Sequence, residues 1–472
     1  MRTLALALLA ACNVPNVHFM NGGGDAGSDG VPDAPPTEPG GYIWLRSLSQ
    51  MQTQTINASA SGIITPGYLY STANLDGSDL LTSAGAADMV VASFTEANAQ
   101  NLYGVRHGLA AAEFGLLSQP AATGLVLVTG VTDGSGGPVD LGKGSVTLGS
   151  DGPSDGYIGE YSNGVAGWVQ MITGPGDDKF LAMAPGASST VWGGGWFEPT
   201  ATFNGAALAS AGSRDLFMAQ FNVFTGAVMA MKQWGGPGRE EISGGGAASV
   251  DGSKVVLSGF FDGTSTLNFG GSAQPLTGTH GGLDAWVAMF DANMNGIWAE
   301  SFGGSGDDRD NNVVMDSAGD VYMTGTFTTA ITIGTFNLTA VGGSDHYICK
   351  LDGATGHVIW AISFGSVGNE TAGRIAVDSH GHIAFAGPLV GAFEGGPTLG
   401  GNDALLAEFS TTDGTRLWDH VYSTAGDDGG GGVVYGESGD LFASIGLGGA
   451  YDFGMPVMGD PNPACVLMRI AP

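Results

Sequence analysis

Basic side chains are scarce in this sequence: 14 lysines and arginines stand against 45 aspartates and glutamates, a formal net charge of −31. Such a balance repels the phosphate backbone that nucleic-acid binders attract with basic patches, so no nucleic-acid partner is expected. Cysteine is rarer still. Cys12, Cys349 and Cys465 form no CxxC pair and no metal-site spacing, which argues against a disulfide framework. Cys349 and Cys465 fall in different repeat units and read as small buried residues. No stretch approaches 18 consecutive apolar residues, so none reads as a membrane-spanning helix. Charged residues of either sign reach only 12% while 43% are hydrophobic, which sets aside a disordered polyampholyte. What is abundant is glycine, 84 residues of it, and the chain reads as many short strands joined by tight turns.

The N-terminus runs Met1, Arg2, then a stretch from Thr3 to Ala11 dominated by leucine and alanine, and reaches Leu9-Ala10-Ala11-Cys12. This resembles a bacterial lipoprotein signal with its lipobox, shorter than the usual run of about 15 to 30 residues. The resemblance implies export to the cell envelope, cleavage before Cys12, acylation of that cysteine and an outer-membrane attachment made only through lipid. Residues 13–41 include GGGDAGSDG and PDAPPTEPGG, with too few apolar side chains to bury, and read as a tether. The chain therefore divides into a signal peptide at 1–11, a lipidated cysteine with its flexible linker at 12–41, and a folded domain at 42–472.

Within that domain two markers recur. An aspartate opens an alternating strand at Asp88, Asp155, Asp215, Asp284, Asp345 and Asp403, at intervals of 67, 60, 69, 61 and 58 residues, and Cys465 to Ile470 repeats the strand without its aspartate. A tryptophan with a bulky residue four further on gives Trp44/Leu48, Trp168/Ile172, Trp298/Phe302, Trp360/Phe364 and Trp418/Tyr422. Tyr103/His107 is a degenerate copy, and Ala230 replaces the tryptophan in another while Trp234 takes the aromatic position. Each unit holds four strands, A to D, for example 312–317, 321–327, 346–352 and 358–364, with period-two apolar residues and Gly, Asn and Asp at the hairpins. Four-stranded units repeated radially describe an all-β, seven-bladed β-propeller. The chain begins with a D-type strand at Trp44 and ends with a C-type strand at Cys465, so the N-terminal strand is expected to join the C-terminal blade and close the ring.

The run from Phe302 through FGGSGDD, the hairpin from Val313 to Phe327 and the closing GGSDHYICKLD from Gly342 resemble the β-propeller repeat of exported bacterial surface proteins. The resemblance covers most of residues 42–471; the copies centred on Trp298 and Trp360 match closely, those before residue 150 poorly. CKLDGATGHVIW also resembles the tryptophan-docking turn of quinoprotein dehydrogenases, a family that implies pyrroloquinoline quinone and adjacent cysteines, which this sequence lacks.

No catalytic constellation emerges, and the chain is expected not to be an enzyme. GPVDLGKG at 137–144 puts glycine where a P-loop needs its Mg²⁺-binding hydroxyl, and Gly152 to Gly156 matches GxSxG without the strand-to-helix elbow. Asp291 to Gly296 imitates half an EF-hand loop, but its twelfth position is Phe302. His380 and His382 beside Asp378 read as a solvated turn ahead of a metal site. Nine dispersed arginines argue against a sialidase-like grip on a carboxylate, whereas 45 acids leave a two-carboxylate carbohydrate hydrolase or lyase as the competing reading.

One regular signal remains, in the loop from strand D into the next A. Asp178, Glu240, Asp308, Glu370 and Asp428 occupy equivalent places. Turn capping accounts for such repetition; in the resembled architecture strand A is innermost, so the functional expectation is a carboxylate arc around one mouth, suited to Ca²⁺ or another ligand. The reading is a monomeric envelope lipoprotein whose propeller binds or scaffolds an unknown protein or glycan.

Overall fold

The computed structural model describes residues 41–471, apart from short loop stretches of which 394–400 is the longest. Cys12, the signal segment and nearly all of the tether lie outside the described residues. The described residues contain strands and no helix. They form seven antiparallel blades, whose first strands are, in order, Met51–Thr53 with Asn57–Ser59, Glu113–Ala122, Lys179–Pro185, Glu240–Ala248, Asp308–Met315, Arg374–Val377 and Gly429–Tyr435. In the fifth blade Asp308–Met315, Val321–Ile333, Phe336–Leu351 and Val358–Phe364 pair side by side in chain order. Its middle strands outrun the expected 321–327 and 346–352, because TTAITI and FNLTAV keep alternating and Gly334, at φ 60°, turns them into one long hairpin.

Blades pack face to face, so their middle strands are covered on both sides. Leu283–Asp291 accordingly buries eight consecutive residues, while the outermost strand Arg416–Tyr422 keeps an exposed face. The apolar core lies between blades: Trp192, Trp196 and Leu216 of the third meet Ile242, Phe261 and Trp286 of the fourth. Trp44 and Leu467 of the seventh blade meet Val90 and Phe94 of the first in the same way.

The ring closes as the strand order requires. Tyr42–Ser47 is the outer strand of the seventh blade, antiparallel to Cys465–Ile470 from Trp44↔Arg469 to Ser47↔Val466. Cys349 and Cys465 are both buried and take part in no disulfide among the described residues.

The recurring tryptophan sits on the outer strand of one blade and hydrogen-bonds the C to D turn of the next. Its Nε1 donates to Glu96 O from Trp44 (2.8 Å), to Val223 O from Trp168 (2.7 Å), to Gly353 O from Trp298 (3.1 Å) and to Thr411 O from Trp360 (3.1 Å). Three receiving turns carry Gly226, Gly356 and Gly414 at φ 68°, 79° and 75°. A Cβ there would stand 2.5, 2.7 and 3.0 Å from the indole, so glycine is needed both for the left-handed backbone and for the approach of the ring. The degenerate copies keep the link by other means. His107 Nε2 lies 2.7 Å from Gly164 O, and Lys232 Nζ donates to Met294 O at 3.1 Å. Trp418 departs from the scheme and donates within its own blade to Glu408 Oε2, 2.9 Å.

Trp298→Ala should destabilise the protein by about 3–5 kcal/mol in equilibrium denaturation. Gly356→Ala should cost more than Gly205→Ala, which has a similar φ of 75° but open space around it and so bears only the backbone penalty of roughly 1–2 kcal/mol. Equal losses would remove the docking contact from the account. A chain shortened to begin at residue 53, lacking the closing strand, should melt at lower temperature or aggregate through its exposed edges, whereas one beginning at residue 41 should keep the full-length transition.

Candidate functional site

The inner strands surround an axial channel of about 300 Å³. All seven blades contribute to its wall, among them Asn57, Ser118, Met183, Gly246, Asn312, Arg374 and Val433. An innermost strand has a free edge whose N–H and C=O groups need partners. Register shifts at Phe180/Ala182, Ile242/Gly246, Asp310/Asn312 and Gly430/Val433 twist these strands further out of ladder geometry.

Side chains stitch the edges together. Thr55 Oγ1 donates to Leu116 O (3.1 Å) and accepts from Ser118 N (3.2 Å), joining the first two blades. Asn312 Nδ2 donates to Gly244 O (3.0 Å) and its Oδ1 accepts from Ile375 N (3.0 Å), joining the fourth, fifth and sixth. Behind it the buried Asp310 accepts the hydroxyls of Ser243 and Ser258, the latter at 2.6 Å, and burial pushes its carboxyl up to about 7. The Arg374 guanidinium donates through Nη1 to Asn311 O (3.0 Å); desolvation draws it down to about 10 against the attraction of Asp310, leaving it cationic at neutral pH.

The five acids expected to form an arc each sit in a junction of their own. All are buried. Gly236 N donates to Glu240 Oε2 (2.9 Å), Gly304 N to Asp308 Oδ2 (2.5 Å), Ser366 N to Glu370 Oε1 (3.1 Å) and Thr424 N to Asp428 Oδ2 (2.6 Å), in each case from four residues earlier. Further donors arrive from the neighbouring strand end: Glu198 N to Asp178 Oδ1 (3.1 Å), Val390 N to Glu370 Oε1 (3.2 Å) and Gly448 N to Asp428 Oδ1 (2.7 Å). What the fold brings together is each acid with the repeat aspartate of the preceding blade. Parallel bridges Ser154↔Asp177, Arg214↔Arg239 and Ser344↔Asn369 set Asp155 beside Asp178, Asp215 beside Glu240 and Asp345 beside Glu370.

A sixth pair escaped the sequence reading: Ala87↔Ala112 sets Asp88 beside Glu113. The signal was present, because His107/Glu113, Ile172/Asp178, Trp234/Glu240, Phe302/Asp308, Phe364/Glu370 and Tyr422/Asp428 share a spacing of six. At the seventh junction Cys465 replaces the aspartate, its Sγ 3.8 Å from Thr53 Oγ1.

A Ca²⁺ ion needs six to eight oxygens; here backbone N–H groups and hydroxyls take part of each carboxyl, while Asp178 Oδ2 and Glu370 Oε2 are buried with no hydrogen-bond partner among the described residues. Among the described residues no group of three or more His, Cys, Asp or Glu gathers to hold a metal. The other motifs are turns: Asp291 Oδ1 caps Asn293 N and Asn295 N (2.9 and 2.8 Å), and Lys232 Nζ bonds Asn295 Oδ1 (2.8 Å) where an ion would stand. Asp378 Oδ1 likewise caps His380 N and His382 N (2.9 and 2.8 Å).

No protein-family model matches the sequence, and none of the curated proteins does. Solved structures do. A quinohemoprotein alcohol dehydrogenase from Comamonas testosteroni is 11% identical at TM-score 0.42, over 91% of this chain and 76% of that one. The Pan2 WD40 domain of Neurospora crassa is 11% identical at 0.43, over 93% and 97%, and a europium-containing methanol dehydrogenase 10% identical at 0.37, over 91% and 93%. These are likenesses of fold, and the chain is a seven-bladed propeller in its own strand order. They correct one expectation: similar structures include dehydrogenases, so the reading of this chain as no enzyme is withdrawn.

The junction acids carry a pH signature. Burial, reinforced by the neighbouring aspartate, pushes Glu113 and Asp178 up to about 8 and Asp308 to about 7. A carboxyl raised on folding binds more protons folded than unfolded, so its contribution to stability falls as pH rises through the folded value. The buried His346, drawn down to about 4 by desolvation, acts oppositely but only below the ordinary histidine range. Between pH 6.5 and 8.5 the melting temperature should therefore fall with rising pH, and the paired replacement Asp178→Asn, Asp308→Asn should flatten that slope. A slope unchanged in the variant would assign the dependence to other groups.

Proposed function

We propose that this chain is an exported lipoprotein, held to the cell envelope through Cys12, whose propeller is a binding module with its ligand seated at the axial channel. The observation that carries the reading is the channel itself. In a ring packed blade against blade it leaves about 300 Å³ where all seven inner strands meet, with a few polar side chains on an otherwise apolar and backbone wall. Ligand sites are concave with a few placed polar groups, and the rigid strands that carry the side chains here fix their geometry. The fold alone does not choose the ligand. The anchoring half of the reading rests on Leu9-Ala10-Ala11-Cys12 and the Gly-, Asp- and Pro-rich run that follows it.

Cys12→Ser should abolish labelling with a palmitate analogue and release the protein from membranes; continued labelling would remove the anchor. Arrayed glycans and peptides should be retained by the wild-type protein and lost with Gln119→Trp, which fills the channel from the second blade, while the melting temperature holds. Retention unchanged in that variant would move the ligand away from the axis.

A further inference from the structure

We infer that the axial channel is an oxyanion site, in which Arg374 takes a carboxylate or sulfate group of the ligand. This rests on the channel being the ligand seat and adds the chemical class of what sits there. Acids outnumber bases by 45 to 14 in the sequence, yet the channel wall has no carboxylate among its lining residues and one cation, Arg374.

Six of the other arginines are held differently, while Arg46 donates to Ala99 O and lies over the Phe94 ring. Arg106, Arg214, Arg239, Arg309, Arg416 and Arg469 each have a carboxylate within ion-pair distance. Arg374 has none among the described residues, and its hydrogen bond there is the one to Asn311 O. Asp310 attracts it from behind, but both of that carboxyl's oxygens already accept serine hydroxyls. A guanidinium presents five N–H donors in a planar fork suited to two oxygens of one oxyanion, and a single carbonyl uses one of them. Arg374 is half-buried with Asp310 as its one nearby counter-charge among the described residues, and an oxyanion entering the channel supplies a second on the open side. Asn312, tied at both ends of its amide, holds the adjoining wall in place.

Isothermal titration of the full chain with sodium sulfate and with sodium succinate, at constant ionic strength, tests the inference. Wild-type protein should bind at least one of them, Arg374→Gln should weaken it by about tenfold or more, and Arg374→Lys, which keeps the charge and loses the fork, should fall between. The lysine variant also decides the matter should the glutamine variant fold poorly. Sulfate alone binding points to a sulfated ligand group, and succinate alone to a carboxylate. No binding of either at tens of millimolar, or equal binding by wild type and both variants, overturns the inference. Array ligands blocked by Gln119→Trp but indifferent to Arg374→Gln would overturn it while leaving the channel as the ligand seat. Ligands blocked by neither would overturn both.

Discussion

An indole N–H reaching a carbonyl of the next blade is the contact on which the ring depends. Each blade is a small sheet with two apolar faces, and neither face is covered until a neighbour arrives. Apolar contact is not directional, so the clusters between blades do not fix how one sheet sits on the next. The docked tryptophan supplies that direction: Trp168, Trp298 and Trp360 each lie over a glycine of the neighbour's turn and donate to a carbonyl beside it. Where the indole is missing the link is made by His107 at Gly164 and by Lys232 at Met294, and between the sixth and seventh blades, where Trp418 donates to Glu408 of its own blade, Tyr435 of the seventh donates to the same carboxyl.

The acid pairs belong to the same junctions and play the complementary part. The loop that carries the chain from the outside of one blade to the axis of the next leaves backbone N–H groups buried, and a carboxyl is the acceptor that takes several at once. Asp428 accepts from Thr424 N, Gly448 N and the Thr424 hydroxyl. Setting a second acid alongside, as Asp403 is for Asp428, raises the cost of ionisation, and so these positions hold protons where exposed aspartates would not.

Most of the fold was legible in the sequence because a repeated unit displays its own alignment. The strand order, the blade count and the closing strand follow from the spacing of aspartates and tryptophans and from the D-type start at Trp44. The extended hairpin from Val321 to Leu351 was read too short, since a Thr- and Gly-rich segment looks like a loop until its alternation is weighed. The acids were identified as a repeating set, but convergence on the axis was inferred from strand A being innermost. Asp308 lies at the outer end of a strand whose channel-lining part begins at Asn312, a separation that residue spacing alone does not reveal. Arg374 was counted only among dispersed arginines. Its position at the channel depends on seven strands meeting, a relation between residues hundreds apart that no local pattern records.

The closing strand has a mechanical consequence. Tyr42–Ser47 is at once the outer edge of the seventh blade and the first strand among the described residues, so any pull transmitted along the preceding segment is applied directly to the joint of the ring. The load falls first on the Tyr42↔Ile470 pair and the neighbouring bond from Ala471 N to Gly41 O, and only then on the pairs beyond. Trp44, docked on Glu96 of the first blade, stands two residues further in and fastens this strand across the joint to a second sheet. Tension would therefore have to strip an interblade contact as well as a ladder before the circle opened, and the first structure lost under load would be the closure and not the blades.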